Sequence, residues 1–158
     1  MGGSSGGKVV EIFADGSCSG NPGPGGFCAL LRYGGAEKKI TGCDNDTTNN
    51  RMELMAVIAA LRELKRPCLV RIITDSNYVV KGMTLWIYRW LKNKWTKSDG
   101  KPVSNRDLWE ELYELSHRHK IEWQWIKGHN GHIENEICDK EAKEAIQRCA
   151  KEKSVSLS

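Results

Sequence analysis

Long apolar runs are missing from this 158-residue chain, and so is any Cys-x-x-Cys pair. No stretch approaches the ~20 apolar residues that a membrane-spanning helix needs, and no charged head followed by an apolar run begins the chain as a secretory signal would. The six cysteines, Cys18, Cys28, Cys43, Cys68, Cys138 and Cys149, are scattered. That scatter suggests neither a thiolate zinc site nor a small disulfide scaffold, so reduced thiols in a cytoplasmic protein are expected. Repeats and linker-like stretches are also missing. A single domain over 8–151, burying roughly 70% of its unfolded surface, is therefore expected. Residues 1–7 read as a Gly/Ser leader outside the fold, disordered or foreign to the natural chain, and 152–158 as a loose tail.

What the chain does have is charge in one place. Between Lys81 and Lys101 six cations, Lys81, Arg89, Lys92, Lys94, Lys97 and Lys101, face Asp99 alone, a local +5 within a chain whose net charge is +4. The remainder is close to neutral, so the field is directed and favours a polyanion at that one segment.

Val9 to Ala14 is a β-branched and aromatic run ending at Asp15, and Phe27 to Tyr33 is a second run after a Gly-rich turn. They predict a hairpin, with Lys38 to Cys43 as a third strand. Thr47-Thr48-Asn49-Asn50 offers N-cap side chains before Leu54, Val57, Ile58, Leu61 and Leu64 at helical spacing, closed by Pro67. Val70 to Thr74 predicts a buried strand. Helical stretches follow at Asn77 to Met83, around Trp86 and Trp90, and over Asn105 to His117. A strand, Ile121 to Ile126, a polar loop, Lys127 to Ile133, and a last helix from Glu134 to about Lys151 complete the order. That order predicts an α/β fold: a five-stranded mixed sheet, three antiparallel strands and then parallel ones, with helices on both faces.

Asp15 and Asp75 each follow an apolar strand, where ligands gather in open α/β sheets. Glu53 lies on a small-residue helix face that should press on the sheet, and Asp139 lies early in the last helix. Singly, each has a plain structural explanation, as a turn residue, a surface charge or a first-turn acid. Together they would repel one another unless a cation sat between them. Oxygen-only ligands favour Mg²⁺ or Mn²⁺ over zinc, and two such ions suit in-line phosphoryl displacement.

Four stretches in this order and spacing, Asp15 to Gly26, Thr47 to Leu54, Thr74-Asp75-Ser76 and Trp125 to Asp139 with its Gly128-His129 loop, resemble the bacterial type 1 ribonuclease H family. The resemblance spans Val9 to Ala150 and implies the ribonuclease H-like fold. It also implies an endonuclease that cuts the RNA strand of RNA/DNA hybrids and leaves 3′-hydroxyl and 5′-phosphate ends. Carried over, Asp15 would bridge two Mg²⁺ ions, for which Mn²⁺ could substitute, with Glu53, Asp75 and Asp139 completing the ligands and His129 assisting proton transfer or product release. Gly16, Cys18, Asn21, Asn49, Asn50 and Asn77 match the positions that contact the RNA strand. Thr48 and Asn105 match a DNA-strand phosphate pocket, and Trp86, Trp90, Lys92 and Lys94 a basic protrusion. Trp109, Trp123 and Trp125 are expected in the core. Ala14, Asn77, Asn130 and Ile133 depart from the family pattern. The implied partner is the hybrid, met by a monomer with no membrane. Two other functions compete: a DNA integrase or resolvase on the same fold, and a non-catalytic hybrid-binding module.

Overall fold

Alternation along the first strand decides the layering. In β1 (Val9–Cys18), Val10, Ile12 and Ala14 enter one core while Phe13 enters another, the period of two that sends successive side chains to opposite faces. The computed structural model describes residues 8–128 and 132–157, with side chains as far as Ala150. β2 (Gly23–Tyr33) repeats the division, Phe27, Ala29 and Leu31 against Cys28 and Leu30, and β4 (Leu69–Thr74) does so with Val70 and Ile72 against Ile73. A sheet apolar on both faces must be covered on both. On one side lie α1 (Asn49–Arg62) and, packed on it, α4 (Arg106–Ser116). On the other lies α5 (Ile133–Leu157).

With β3 (Ala36–Thr47) and β5 (Lys120–Trp125), the strand order is β3-β2-β1-β4-β5. β1 to β3 pair antiparallel, and β1, β4 and β5 pair parallel, as the element order predicts. Among the described residues, no helix is long and apolar enough to cross a membrane.

Several boundaries differ from those expected. β1 does not stop at Asp15 but runs on to Cys18, and β2 starts at Gly23, so both flanks of the Gly-rich stretch are strand and only Ser19 to Pro22 form the turn. Packing explains it: a Cβ on Gly26 would lie 2.3 Å from the carbonyl oxygen of Ala142 in α5, so the missing side chain lets that helix rest on the strand. α1 ends at Arg62, before Pro67, and α5 continues past Lys151 to Leu157, a stretch without Gly or Pro to stop it. The helical region after β4 is α2 (Asn77–Lys81), a π-helical turn (Gly82–Trp86) and α3 (Ile87–Lys92), in one continuous run. Trp109 is fully buried and Trp123 partly so, but Trp125 is 46% exposed. It ends an edge strand, and its Nε1 donates to the Asp75 carbonyl at 3.0 Å instead of entering the core.

Cys43 in β3 and Cys149 in α5 form a disulfide across a sequence separation of 106, with Cα atoms 6.2 Å apart. This corrects the expectation of reduced thiols throughout. The partners are remote in sequence, and only the path of α5 over β3 brings them together. Cys18, Cys28, Cys68 and Cys138 are free. Closing so long a loop restricts the unfolded chain. Dithiothreitol, or the Cys43→Ser change, should lower unfolding free energy by about 2–4 kcal/mol in a urea titration, and the two treatments together should do no more than either alone.

Candidate active site

Pairing between β1 and β4 ends at Phe13 and Ile73. Beyond it β1 continues beside β2, while the chain after Thr74 turns away at Asp75 and Ser76. Asp15 and Asp75 therefore flank the opening between two parallel strand ends, where an open α/β sheet leaves a crevice. Asp15 shares the face of Phe13, the α5 side, and Asp139 lies on α5 above it.

Glu53 comes from the other layer. Gly16 makes that possible: a Cβ there would lie 2.4 Å from the Glu53 nitrogen and 2.4 Å from the Met52 carbonyl carbon. No side chain fits, so the first turn of α1 lies directly on β1. Ser76 then fixes the carboxylate by donating from Oγ to Glu53 Oε1 at 2.9 Å, while that same Oγ caps α2 by accepting from the Val79 N–H at 3.2 Å. Asp75, Gly128, Asn135, Glu136 and Asp139 line the adjoining concavity.

Electrostatics mark Asp15 as the centre. Burial, then the charges of Asp75 and Asp139, push its carboxyl up to about 9. Burial pushes Glu53 up to about 7, against the Ser76 hydrogen bond that favours its charged form. Among the described residues, Lys143 alone pairs with any of the four acids, reaching Asp139 at 3.1 Å through a partly exposed bridge that is worth little. As placed, no three described His, Cys, Asp or Glu side chains are gathered closely enough to cage an ion. The nearby Asp139 carboxylate adds to burial in disfavouring the charged form of Asp15. A buried carboxyl bordered by three further acids, only one of them paired with a cation among the described residues, is the donor chemistry that a hard divalent cation satisfies.

The rim holds the other expected residues. Asn21 Oδ1 accepts from the Asn49 N–H at 3.1 Å, and Cys18 Sγ lies 3.4 and 3.5 Å from the Gly23 and Thr47 carbonyl oxygens, so the ends of β1 to β3 and the start of α1 are tied together. Asn49, Asn50 and Asn77 are exposed there. The Thr48 side chain caps α1, and Asn105 stands at the residue before α4 without a side-chain cap bond. Trp86, Trp90 and Lys92 lie on the helical run after β4, with Lys94 just beyond its end. An aromatic column joins it to the core, Trp86 to Trp90 at 5.9 Å and Trp90 to the buried Trp109 at 5.0 Å between ring centres. His129 and Asn130 lie outside the described residues. Sequence reasoning missed Ser76, Arg51 and Tyr78 as organisers. Of these, only Ser76, directly before a helix start, carried a legible capping signal.

A family model described as RNase H matches residues 7–147. The Ribonuclease H of Pelobacter propionicus is 61% identical over 137 residues, 87% of this chain and 84% of that one. The Ribonuclease HI of Pasteurella multocida is 60% identical over 136 residues, 86% and 88% of the two chains. Among solved structures, LC9-RNase H1, a type 1 RNase H with the type 2 active-site motif, superposes with a TM-score of 0.80 at 34% identity, over 89% of this chain and 72% of that one. LC11-RNase H1 in complex with an RNA/DNA hybrid shares the fold, with a TM-score of 0.67 at 20% identity over 89% and 99%.

Two expected outcomes follow from the geometry. In metal-free protein, unfolded Asp15 ionises near 3.8 while the folded group keeps its proton to about 9, so stability should fall as pH rises through that window. Asp15→Asn should flatten the profile and stabilise the metal-free protein by at least ~1.4 kcal/mol at pH 7, read from thermal unfolding in EDTA. Gly16→Ala must push α1 off β1. It should cost about 1–3 kcal/mol of stability and lower nuclease turnover at least tenfold under conditions where the variant is fully folded.

Proposed function

The chain belongs to the ribonuclease H family, nucleases that hydrolyse the RNA strand of RNA/DNA hybrids, and we propose that Asp15, Glu53, Asp75 and Asp139 do this work by holding two Mg²⁺ ions. The observation that carries the proposal is the buried Asp15 carboxyl bordered by three other acids and by no cation of its own among the described residues. Asp15, which feels all three, would hold the ions together with Glu53, Asp75 and Asp139. Bound there, they would supply activation of a water and stabilisation of the charge that develops on phosphate oxygens. Mn²⁺ satisfies the same hard-oxygen set.

The chain's own groups do the positioning. Ser76 fixes the Glu53 carboxylate by donating a hydrogen bond that favours its charged form. His129 supplies proton transfer or assists product release. Gly16, Cys18, Asn21, Asn49, Asn50 and Asn77 present backbone and amide groups to the shallow groove, where 2′-hydroxyls distinguish RNA from DNA. Thr48 and Asn105 receive a DNA-strand phosphate. Trp86 and Trp90 pack on deoxyribose while Lys92 and Lys94 neutralise phosphates, a sequence-independent grip. The enzyme works as a monomer in the cytoplasm and leaves 3′-hydroxyl and 5′-phosphate ends.

A uniformly labelled RNA/DNA hybrid tests the assignment. Asp75→Asn should reduce Mg²⁺-dependent cleavage by at least a hundredfold while hybrid binding persists, and duplex DNA should remain uncut. Unchanged turnover in that variant would remove Asp75 from the ligand set.

A further inference from the structure

Between the N-termini of α1 and α4 the chain builds a polar knot that the carboxylate cluster does not use. Arg51, in the first turn of α1, donates its backbone N–H to Thr48 Oγ1 at 3.2 Å, and its guanidinium crosses to α4. There Nη1 donates to Asn105 Oδ1 at 3.2 Å and to Asp107 Oδ1 at 3.0 Å, and Nη2 donates to Asp107 Oδ2 at 2.8 Å. Asn105 is held from behind. Its Nδ2 donates to the Tyr78 hydroxyl at 3.0 Å, which also accepts from Trp109 Nε1 at 3.0 Å, and its left-handed φ of 60° turns the chain into α4.

One guanidinium giving two parallel N–H···O bonds to one carboxylate uses the geometry with which arginine takes two oxygens of a phosphate. The Asp107 side chain is 65% exposed and that of Arg51 32%, so the pair faces solvent and can exchange partners at small cost. Asp107 thus places an anion on the guanidinium that also reaches Asn105, while the backbone of the same arginine is bonded to Thr48.

We propose that Asp107 is an internal competitor for the DNA-strand phosphate: it holds Arg51 in the free protein, and the incoming phosphate displaces it and takes Arg51 as a third donor beside Thr48 and Asn105. This rests on the reading of Thr48 and Asn105 as the phosphate pocket. Two consequences distinguish competition from mere support. Displacing a carboxylate weakens hybrid binding. It also removes one contact's share of the salt dependence, because Arg51 exchanges one anion for another.

The experiment compares intact protein with Asp107→Asn, which keeps the shape and loses the charge, on an RNA/DNA hybrid across a salt series. The expected result is a KM lower by about two- to fivefold and a plot of log KM against log salt steeper by about 0.7–0.9. Arg51→Gln added to Asp107→Asn should cancel both effects, and thermal unfolding confirms that each variant is folded. Weaker binding or an unchanged salt slope in Asp107→Asn overturns the proposal and leaves Asp107 as a support that orients Arg51. The pocket has its own control, a hybrid with single methylphosphonates along the DNA strand. If Thr48→Ala and Asn105→Ala weaken binding equally whichever phosphate is neutralised, the pocket reading fails and takes the competitor with it. If one methylphosphonate abolishes their effect while Asp107→Asn does nothing, only the competitor fails.

Discussion

Repulsion among carboxylates that the fold forces together is the constraint on which the rest of the structure depends. Asp15 is buried and feels Asp75, Asp139 and Glu53, so its charged form is disfavoured. A fold does not accumulate such a cost by accident. The opening between the ends of β1 and β4 admits two of the acids, and the layers on opposite faces of the sheet each add one. Glycine is what lets the layers close, with Gly16 beneath the first turn of α1 and Gly26 beneath α5.

Around that centre, single polar groups serve several elements at once. Ser76 binds Glu53, caps α2 and donates its backbone N–H to Thr74 Oγ1 at 3.1 Å, so one residue ties a carboxylate, a helix and a strand end together. The Tyr78 hydroxyl plays a comparable part where α2 meets α4. The helical run that carries Trp86 and Trp90 is joined to the core by its column of tryptophans, through the buried Trp109.

Much of this was legible from residue order. The β-branched and aromatic run Val9 to Ala14, the helical spacing of Leu54, Val57, Ile58 and Leu61, and the Thr48 cap all appear where local physics puts them. Misreadings arose where packing overrode local signals. The Gly-rich segment reads as loop because glycine is a poor strand former, yet its flanks, Gly16 to Cys18 and Gly23 to Gly26, are strand, where α1 and α5 approach closely. Pro67 reads as a helix end, but α1 already stops at Arg62. Trp125 reads as core by its size and remains exposed because its strand has a free edge.

The sequence by itself determined the element order, the two apolar faces of each inner strand, the identity of the four acids and the basic segment, because each is a local pattern or a residue type at a legible spacing. Only the tertiary structure decided that Ser76 holds Glu53, that Arg51 spans two helix ends to meet Asp107, and that Cys43 meets Cys149. Those are contacts between residues 23, 56 and 106 positions apart, and no local periodicity encodes them. They follow from how the layers stack, which is settled by close-packing of the whole core at once.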